Sequence, residues 1–356
     1  MPADVPDHCQ LRDLTSDAIL ENTRTRYARD VIYTYVGAIL VAVNPFKHVA
    51  RTYGVDVMKR YRGQKRWNAA CGPHPYATAE AAFVAAISGR RNQVIIVSGE
   101  SGSGKTETNK HLMEYVIWRG GSSGSGSGRG GNGGNGASRG TGSAIGNLIL
   151  AANPILEAVG NAKTLRNHNS SRFGRYVVLR CAAEGGAVIS APTRVYLLEH
   201  SRLTSADAKG ERSFHVLYML VASRRLVQCP PEAFRYLSLS GTTVIEGVDD
   251  ARRFGEFDAA LGHLTFSEDE RECLYGMLLA VLRLGNLGFG STAEASRVDD
   301  EGLLGLAEGA LGAARGAMRP LLERRTIVVR EATPFSLDWP RMAWGLGWPL
   351  MAMDSH

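Results

Sequence analysis

Residues 99–106, which read GESGSGKT, restrict this chain more than any other stretch of its sequence. They fit the pattern G-x-x-x-x-G-K-[ST], which is typical of loops that wrap around the phosphates of a nucleotide. Glycines let such a loop turn tightly and point its backbone N–H groups at an anion. Lys105 would then reach the β- and γ-phosphates, and the hydroxyl of Thr106 would ligate Mg²⁺. The alternative is a chance glycine-rich turn, and the flanking residues argue against it.

The segments on either side of this loop have the order that a phosphate site needs. Gln93–Val97 is short, apolar and β-branched, which predicts a buried parallel strand. Thr106–Trp118 carries apolar residues at near-helical spacing, which predicts a helix whose positive N-terminal end faces the phosphates. Strands and helices alternate along the rest of the chain. We therefore predict an α/β fold with a P-loop NTPase core, in which helices flank a central, mostly parallel, twisted sheet.

Two other stretches predict paired strands. Val31–Val43 is rich in β-forming residues on both sides of Gly37, so we expect two strands joined by a turn. Arg175–Cys181 and Ala187–Ala191 flank a Glu-Gly-Gly sequence, which predicts a hairpin.

Helical patterns follow in the second half of the chain. Asn147–Gly160 predicts two helical pieces, the second of which is capped by Asn153 and has Pro154 at its first position. Ser267 and Glu270 form the pattern of a capping box, which begins a helix. Helices are expected over Ala77–Ser88, Glu211–Ala222 and the stretch from this capping box to Leu284.

Composition excludes several classes of protein. The sequence has no run of eighteen apolar residues and no apolar signal-peptide core, so we expect neither a transmembrane helix nor secretion. Five scattered cysteines without a C-x-x-C pair favour reduced thiols in an intracellular protein and argue against a zinc site. The net charge of +6 permits an acidic partner. Lys59–Trp67 mixes basic and aromatic residues, but no nucleic-acid fold surrounds it, so a solvated loop is favoured over nucleic-acid binding.

One region is of low complexity. Arg119–Ser143 consists mainly of glycine and serine and has almost no apolar side chain. Such a composition buries too little surface to offset the entropy of ordering, so we expect a flexible surface loop. An inert insertion is favoured over a role for its arginines.

A second polar motif supplies the other half of a candidate site. Asn167–Arg175 reads NHNSSRFGR and is dense in asparagine and serine. These side chains form poor cores but are good partners for phosphate and Mg²⁺. Taken alone, the motif could equally be a polar turn before a strand.

With these two motifs in order, the chain resembles the motor head of the myosins. GESGSGKT is similar to the family's GESGAGKT, and NHNSSRFGR resembles its switch I, N-x-N-S-S-R-F-G-K. The resemblance runs from Leu14 to about Leu337. Further matching strings are NPFK at 44–47, ANPILEAVGNAKT at 152–164, YLLEHSR at 196–202, ERSFH at 211–215 and LAVLRLGNL at 279–287.

The resemblance implies a division of the chain. Residues 1–118 would form the N-terminal part of the motor core, with the purine-binding loop and the P-loop. Residues 119–143 would be surface loop 1, and residues 144–337 would hold switch I and a mainly helical, upper 50-kDa-like subdomain. Residues 338–356 diverge from the family. The short stretch before Leu14 resembles class-I-type heads, which lack an N-terminal barrel.

The resemblance also implies a role for each matching residue. Thr106 and Ser171 would ligate Mg²⁺, and Ser170 would relay the proton of the attacking water. Asn167 and Asn169 would touch phosphate oxygens, while Arg172 would form a salt bridge to a glutamate of switch II. Tyr53 lies one residue beyond the family position beside the adenine. The residues implied to bind ATP are Asn44, Pro45, Lys47, Gly99, Glu100, Ser101, Gly102, Ser103, Gly104, Lys105, Thr106 and Asn167; those implied in catalysis are Lys105, Asn169, Ser170 and Arg172.

The implied function is that of an actin-based, ATP-driven motor of the cytoplasmic cytoskeleton. Residues 326–334 resemble an actin-contacting loop, in which Glu331 or Thr333 stands near a regulatory position. Light chains or calmodulin would bind only a neck beyond this chain. The D-x-x-G-x-E motif of switch II is not found, so Arg172 is expected to lack its partner and the chain alone to hydrolyse ATP poorly. The alternative function is a truncated, non-motor remnant that binds nucleotide or a partner without turnover.

Overall fold

The computed structural model describes residues 4–64, 71–121, 141–204, 209–291 and 296–323. Within these ranges helices and short strands alternate. The α-helices are α1 (Ser16–Tyr27), α2 (Val55–Tyr61), α3 (Pro75–Ile87), α4 (Lys105–Gly121), α5 (Thr141–Gly160), α6 (Ser201–Thr204), α7 (His215–Ala222), α8 (Arg235–Ser238), α9 (Asp250–His263), α10 (Glu268–Gly285), α11 (Glu301–Ala310) and α12 (Arg319–Glu323). The strands are β1 (Tyr33–Val36), β2 (Ile39–Ala42), β3 (Asn161–Ala162), β4 (Ser170–Ser171), β5 (Gly174–Val177), β6 (Arg180–Cys181), β7 (Val188–Ser190), β8 (Thr193–Tyr196), β9 (Phe289–Ser291) and β10 (Ser296–Val298).

The described strands form antiparallel pairs. β1 pairs with β2, and Gly37 between them has a φ of 53°, which favours glycine. β6 pairs with β7, and the adjacent β5 pairs with β8, which extends the same ribbon. The two predictions of paired strands, over Val31–Val43 and around residues 184–186, are therefore confirmed.

The strand predicted at Gln93–Val97 does not form among the described residues. The segment has no regular secondary structure, and Ile95 and Val97 pack against the core that contains α4. Val94 and Ile96 point away from this core and are 73% and 84% exposed. A strand requires a hydrogen-bonded neighbour, and none of the described strands pairs with this segment. The central parallel sheet is accordingly not seen in the described part of the chain.

The prediction of two helical pieces over Asn147–Gly160 is wrong. Helix α5 is one continuous helix with Pro154 inside it, rather than two pieces. The Asn153 side chain accepts a hydrogen bond from Arg175 Nη1 at 2.7 Å and caps nothing. Packing of Ile155 and Ala158 into the helical core stabilises this arrangement, although a proline inside a helix removes one backbone hydrogen bond.

Helix α7 begins at His215, four residues after the predicted start at Glu211. The backbone before it is committed to other partners. Arg212 N donates to Lys163 O at 3.0 Å, and Phe214 forms an antiparallel bridge with Ala162. These long-range bonds hold the segment extended, which a helical spacing of apolar residues does not reveal.

Two main cores hold the described residues together. One joins α5, α7, α9 and α10, with Leu220, Phe257 and Tyr275 almost fully buried. The other joins α2, α3 and α4. In this second core the Glu80 carboxylate is fully buried and accepts hydrogen bonds from Tyr115 and Arg119 of α4, both at 3.0 Å. Helix α4, which follows the glycine-rich loop at residues 99–104, is thus fixed to α3 by polar as well as apolar contacts.

The capping box at the start of α10 gives a first testable prediction. Ser267 Oγ accepts from Glu270 N at 3.2 Å, and the Glu270 carboxylate accepts from Ser267 N at 2.8 Å. We expect Ser267→Ala to lower the free energy of unfolding by about 1 kcal/mol, because it leaves a helix N–H without a partner. Urea denaturation measures the loss. Asp269→Ala, which removes a first-turn carboxylate outside the box, should cost no more than about 0.5 kcal/mol; equal losses would contradict the assignment.

No helix in the described ranges is both long and apolar enough to cross a membrane.

Candidate nucleotide-binding site

The loop from Gly99 to Gly104 turns tightly at three glycines. Gly99, Gly102 and Gly104 have φ values of 151°, 82° and 91°, which side chains larger than glycine's rarely tolerate. A Cβ at Gly99 would also lie 2.6 Å from Ser103 Oγ. The loop is closed by a hydrogen bond from Ser103 N to Glu100 O at 3.2 Å, and α4 begins at Lys105. The predicted helix over Thr106–Trp118 is confirmed, and phosphate binding by the loop stays a prediction.

The Lys105 ammonium folds back over this loop. Its Nζ donates to Gly99 O at 2.6 Å and to Glu100 O at 2.7 Å. Thr106 stands exposed in the first turn of α4, where the helix presents unpaired N–H groups. A lysine, a hydroxyl and a helix N-terminus therefore meet at one place. An anion bound here would offer Lys105 a charged acceptor in exchange for two carbonyl oxygens.

The second polar motif lies directly against this loop. Ser170 in β4 is 1% exposed, and its Oγ lies 2.8 Å from Ser101 Oγ. Arg172 Nη1 donates to the same Ser170 hydroxyl at 3.0 Å. Asn167 lies under Gly102, where an added Cβ would be 3.7 Å from the Asn167 Cβ. The fold thus joins two motifs whose serines are 69 residues apart in the sequence.

The remaining polar side chains of this motif bond within the protein. Asn169 Nδ2 donates to Glu157 at 3.1 Å, and its Oδ1 accepts from Asn161 at 2.9 Å. Asn167 Oδ1 accepts from Asn169 N at 2.9 Å. The exposed Ser171 hydroxyl donates to Phe173 O at 3.1 Å. Asn169 is therefore a support of the loop in this conformation, while Ser171 stays accessible.

Arg172 has a partner that sequence reasoning missed. Its Nε donates to Glu199 Oε2 at 2.5 Å, so Arg172 is paired with a carboxylate other than the switch II glutamate that the sequence lacks. Arg202 donates to the same carboxylate at 3.0 Å and also pairs with Glu211. Burial would raise the pKa of the Glu199 carboxyl, but hydrogen bonds from Arg202 and Arg172 outweigh it and hold that pKa below its usual value. The only sequence signal for Glu199 is its place in the string YLLEHSR.

The segment at residues 44–47 also contacts the glycine-rich loop at residues 99–104. Asn44 Nδ2 donates to Gly102 O at 2.6 Å, while its Oδ1 accepts from Phe46 N at 2.9 Å. Pro45 O accepts from Tyr27 at 3.3 Å. Lys47 pairs with Asp30 at 2.6 Å, with both side chains about half exposed. Asn44 is thus beside the candidate site, and Lys47 is held by a neighbouring surface carboxylate.

Tyr53 is partly buried and packs against the core beside α4. Its ring stacks on His111 of α4 with centroids 3.7 Å apart, and its hydroxyl lies 2.6 Å from that of Tyr33. These contacts use both the face and the polar end of the side chain. Tyr53 therefore braces α4 against β1 in this structure.

The described residues contain no group of three or more histidine, cysteine or carboxylate side chains able to hold a metal. The predicted ligands Thr106 and Ser171 are both exposed hydroxyls. Hydroxyl oxygens suit Mg²⁺, which usually keeps several waters and takes its remaining ligands from phosphates. The residues present therefore fit a metal that arrives with a nucleotide.

Comparison with known proteins identifies matching sequences. The family model for the myosin head (motor domain) matches residues 5–337. The chain is 39% identical to Myosin-5 of Arabidopsis thaliana over 295 residues, 37% to Myosin ID heavy chain of Dictyostelium discoideum over 307, and 35% to Myosin-2 heavy chain, non muscle, of Acanthamoeba castellanii over 346. These alignments cover 82%, 83% and 95% of this chain but 18%, 26% and 22% of the relatives. The chain therefore spans about a fifth to a quarter of the length of the curated relatives it matches.

Proposed function

Because this chain belongs to the myosin head (motor domain) family, whose fold is that of the P-loop NTPases, we propose that it binds MgATP between residues 99–106 and 167–172. The observation that carries the proposal is the contact between the Ser101 and Ser170 hydroxyls at 2.8 Å. It joins the phosphate loop to the second polar motif, so that one γ-phosphate would meet both. The lysine and the helix N-terminus then face the same ligand.

The residues of the proposed site would have distinct roles in binding MgATP and in its hydrolysis. Lys105 would leave the carbonyl oxygens of Gly99 and Glu100 and pair with the β- and γ-phosphates. The N–H groups of the loop and of the first turn of α4 would bind the remaining phosphate oxygens. Thr106 and Ser171 would hold Mg²⁺, which neutralises charge on the phosphates. Ser170, kept in place by Ser101 and Arg172, would relay the proton of an attacking water: its hydroxyl would accept that proton and pass its own to a γ-phosphate oxygen.

The wider proposal is an actin-based, ATP-driven motor of the cytoskeleton. It rests on the family of the chain and on the relatives named above. The actin contact proposed at residues 326–334 and the regulatory position at Glu331 or Thr333 lie outside the described residues, as do residues 338–356 and the bulk of the proposed surface loop 119–143. Residues 119–121 of that loop belong to α4, and residues 141–143 to α5.

The non-motor alternative differs in one measurable respect. A motor ATPase releases phosphate after binding MgATP, and actin filaments accelerate the release. A chain that only binds nucleotide shows an affinity without turnover. Single-turnover hydrolysis by the chain, followed with and without actin, tests for this turnover. Hydrolysis that actin accelerates would favour the motor and contradict the expectation that the chain alone hydrolyses ATP poorly.

Lys105→Ala tests the nucleotide site itself. We expect this substitution to weaken MgATP binding about tenfold or more, because it removes a charged donor from the phosphates. Titration of the full chain with a fluorescent ATP analogue measures the affinity. Lys110→Ala removes the same charge five residues further along α4 and should leave the affinity unchanged. An unchanged affinity in Lys105→Ala, with the helix still folded, would exclude the site.

A further inference from the structure

Glu199 lies at the centre of a network of charges beside the candidate site. Both of its carboxylate oxygens accept from Arg202, at 3.0 and 3.1 Å, and Oε2 also accepts from Arg172 Nε. Its backbone is fixed as well, since Glu199 N donates to Arg172 O at 3.0 Å. The side chain of Glu199 is 28% exposed and that of Arg202 is 8% exposed. The carboxylate therefore has little freedom to leave Arg172.

A chain of hydrogen bonds runs from this carboxylate to the phosphate loop. Glu199 holds Arg172 Nε, Arg172 Nη1 donates to Ser170 Oγ, and Ser170 Oγ bonds to Ser101 Oγ. Because a guanidinium is planar, fixing Nε sets the direction in which Nη1 points. The position of the Ser170 hydroxyl thus depends on a residue that does not itself touch the loop.

The other side of the guanidinium stays available. Within the described residues, Arg172 Nη2 makes no side-chain hydrogen bond, and 24% of the Arg172 side chain is exposed. Glu199 therefore fixes Arg172 through one edge and leaves a second edge open to another acceptor. Such a partner would add to the contact with Glu199 and need not replace it.

We propose that Glu199 is a positioning residue of the nucleotide site: it orients Arg172 so that the Ser170 hydroxyl is held against Ser101 before the nucleotide binds. The proposal rests on the proposed function, in which these two serines face the γ-phosphate. Glu199 then favours nucleotides that carry a γ-phosphate over those that do not. Loss of its charge leaves Arg202 and Arg172 facing an uncharged amide, and Ser170 loses its fixed donor.

The test compares two affinities in the full chain, those for a non-hydrolysable MgATP analogue and for MgADP. Glu199→Gln should weaken binding of the analogue about tenfold, as expected for losing a charge-assisted contact, and change MgADP binding less than about threefold. Asp258→Asn is the matched control. Asp258 is a carboxylate of similar exposure, 26%, that pairs with Arg271 and Tyr275 in α10 and touches neither loop. It should leave the ratio of the two affinities at the wild-type value.

Further variants separate positioning from folding. Glu199→Asp keeps the charge and shortens the side chain by one methylene, so it should lower the affinity ratio by a smaller factor in a folded chain. In an Arg172→Gln background, Glu199→Gln should have no further effect on the ratio, because it acts through Arg172. Equal weakening of both nucleotides by Glu199→Gln, or a full effect in the Arg172→Gln background, would overturn the proposal. Failure of the wild-type chain to bind either nucleotide would instead overturn the proposed function beneath it.

Discussion

Asp250→Ala should lower the free energy of unfolding by about 3–5 kcal/mol, because it leaves a buried positive charge without its partner. Arg212 is fully buried, and its Nη2 donates to Asp250 Oδ2 at 2.7 Å. Its Nε and Nη1 have no hydrogen-bond partner among the described residues. The remaining support is the Tyr218 ring, whose centroid lies 3.6 Å from Cζ. Chemical denaturation of the two proteins measures the difference.

The neighbouring carboxylate provides a matched control. Asp249 caps α9 by accepting from Arg252 N at 3.0 Å and takes no part in the buried pair. Asp249→Ala removes the same charge one residue away and should cost only about 1 kcal/mol, the usual value for a lost cap. If the two variants lost equal stability, the buried ion pair would not be the cause.

A double variant tests the physical reason. Replacing both partners, as Arg212→Leu with Asp250→Leu, removes both charges, so that no unpaired charge is left buried. Substitution of a buried ion pair by apolar residues is often neutral or stabilising, so the double variant should be more stable than Asp250→Ala. A double variant as unstable as the single one would mean that packing, not charge, dominates at this position.

Acidification should destabilise the chain well above the range in which carboxylates titrate. Burial lowers the pKa of His74 and of His215 to about 3, and for His215 the charges of Arg212 and Arg253 add to the effect. The unfolded chain binds these two protons near pH 6.5, and the folded chain only near pH 3. The stability that depends on these two neutral histidines is therefore fully present above pH 6.5, and it falls as the pH drops from there toward 3.

The size of this effect follows from the shifts. Each histidine contributes up to about 1.4 kcal/mol per pH unit, so the two together should cost about 3–4 kcal/mol between pH 6.5 and pH 5. Denaturation at a series of pH values measures the slope. The neutral form of His74 is needed in place, since Nδ1 accepts from Tyr76 N at 3.1 Å and Nε2 bonds to Thr52 O at 3.0 Å.

Substitution of His215 removes the titration of its imidazole without removing a hydrogen bond. Neither of its ring nitrogens has a hydrogen-bond partner among the described residues, although the side chain is 1% exposed. His215→Leu should therefore keep stability at pH 7 within about 1 kcal/mol and remove about half of the acid slope. His263→Leu, at the exposed end of α9, should leave the slope unchanged. A slope unaffected by His215→Leu would contradict the assignment.

Structures that depend on near neighbours can be predicted from the residue types alone. The phosphate loop needs glycines at positions 99, 102 and 104 for its backbone angles, and those glycines are visible in the sequence. The capping box at Ser267 and the turn at Gly37 likewise arise within a few residues. Hydrogen bonds and φ angles over such distances are set by residue type, so the pattern alone predicted them.

Contacts between groups that are distant in the sequence depend on the three-dimensional fold. Glu199 forms an ion pair with Arg172, 27 residues away in the sequence, and the Ser101 hydroxyl bonds to that of Ser170, 69 residues away. Packing made α5 continuous through Pro154, and long-range backbone bonds kept residues 211–214 out of α7. Gln93–Val97 has a strand sequence but no neighbouring strand in the described residues. Hydrogen bonds and burial depend on which residues the fold places next to each other. Residue type limits which partners are possible, but it does not determine which of them forms the contact.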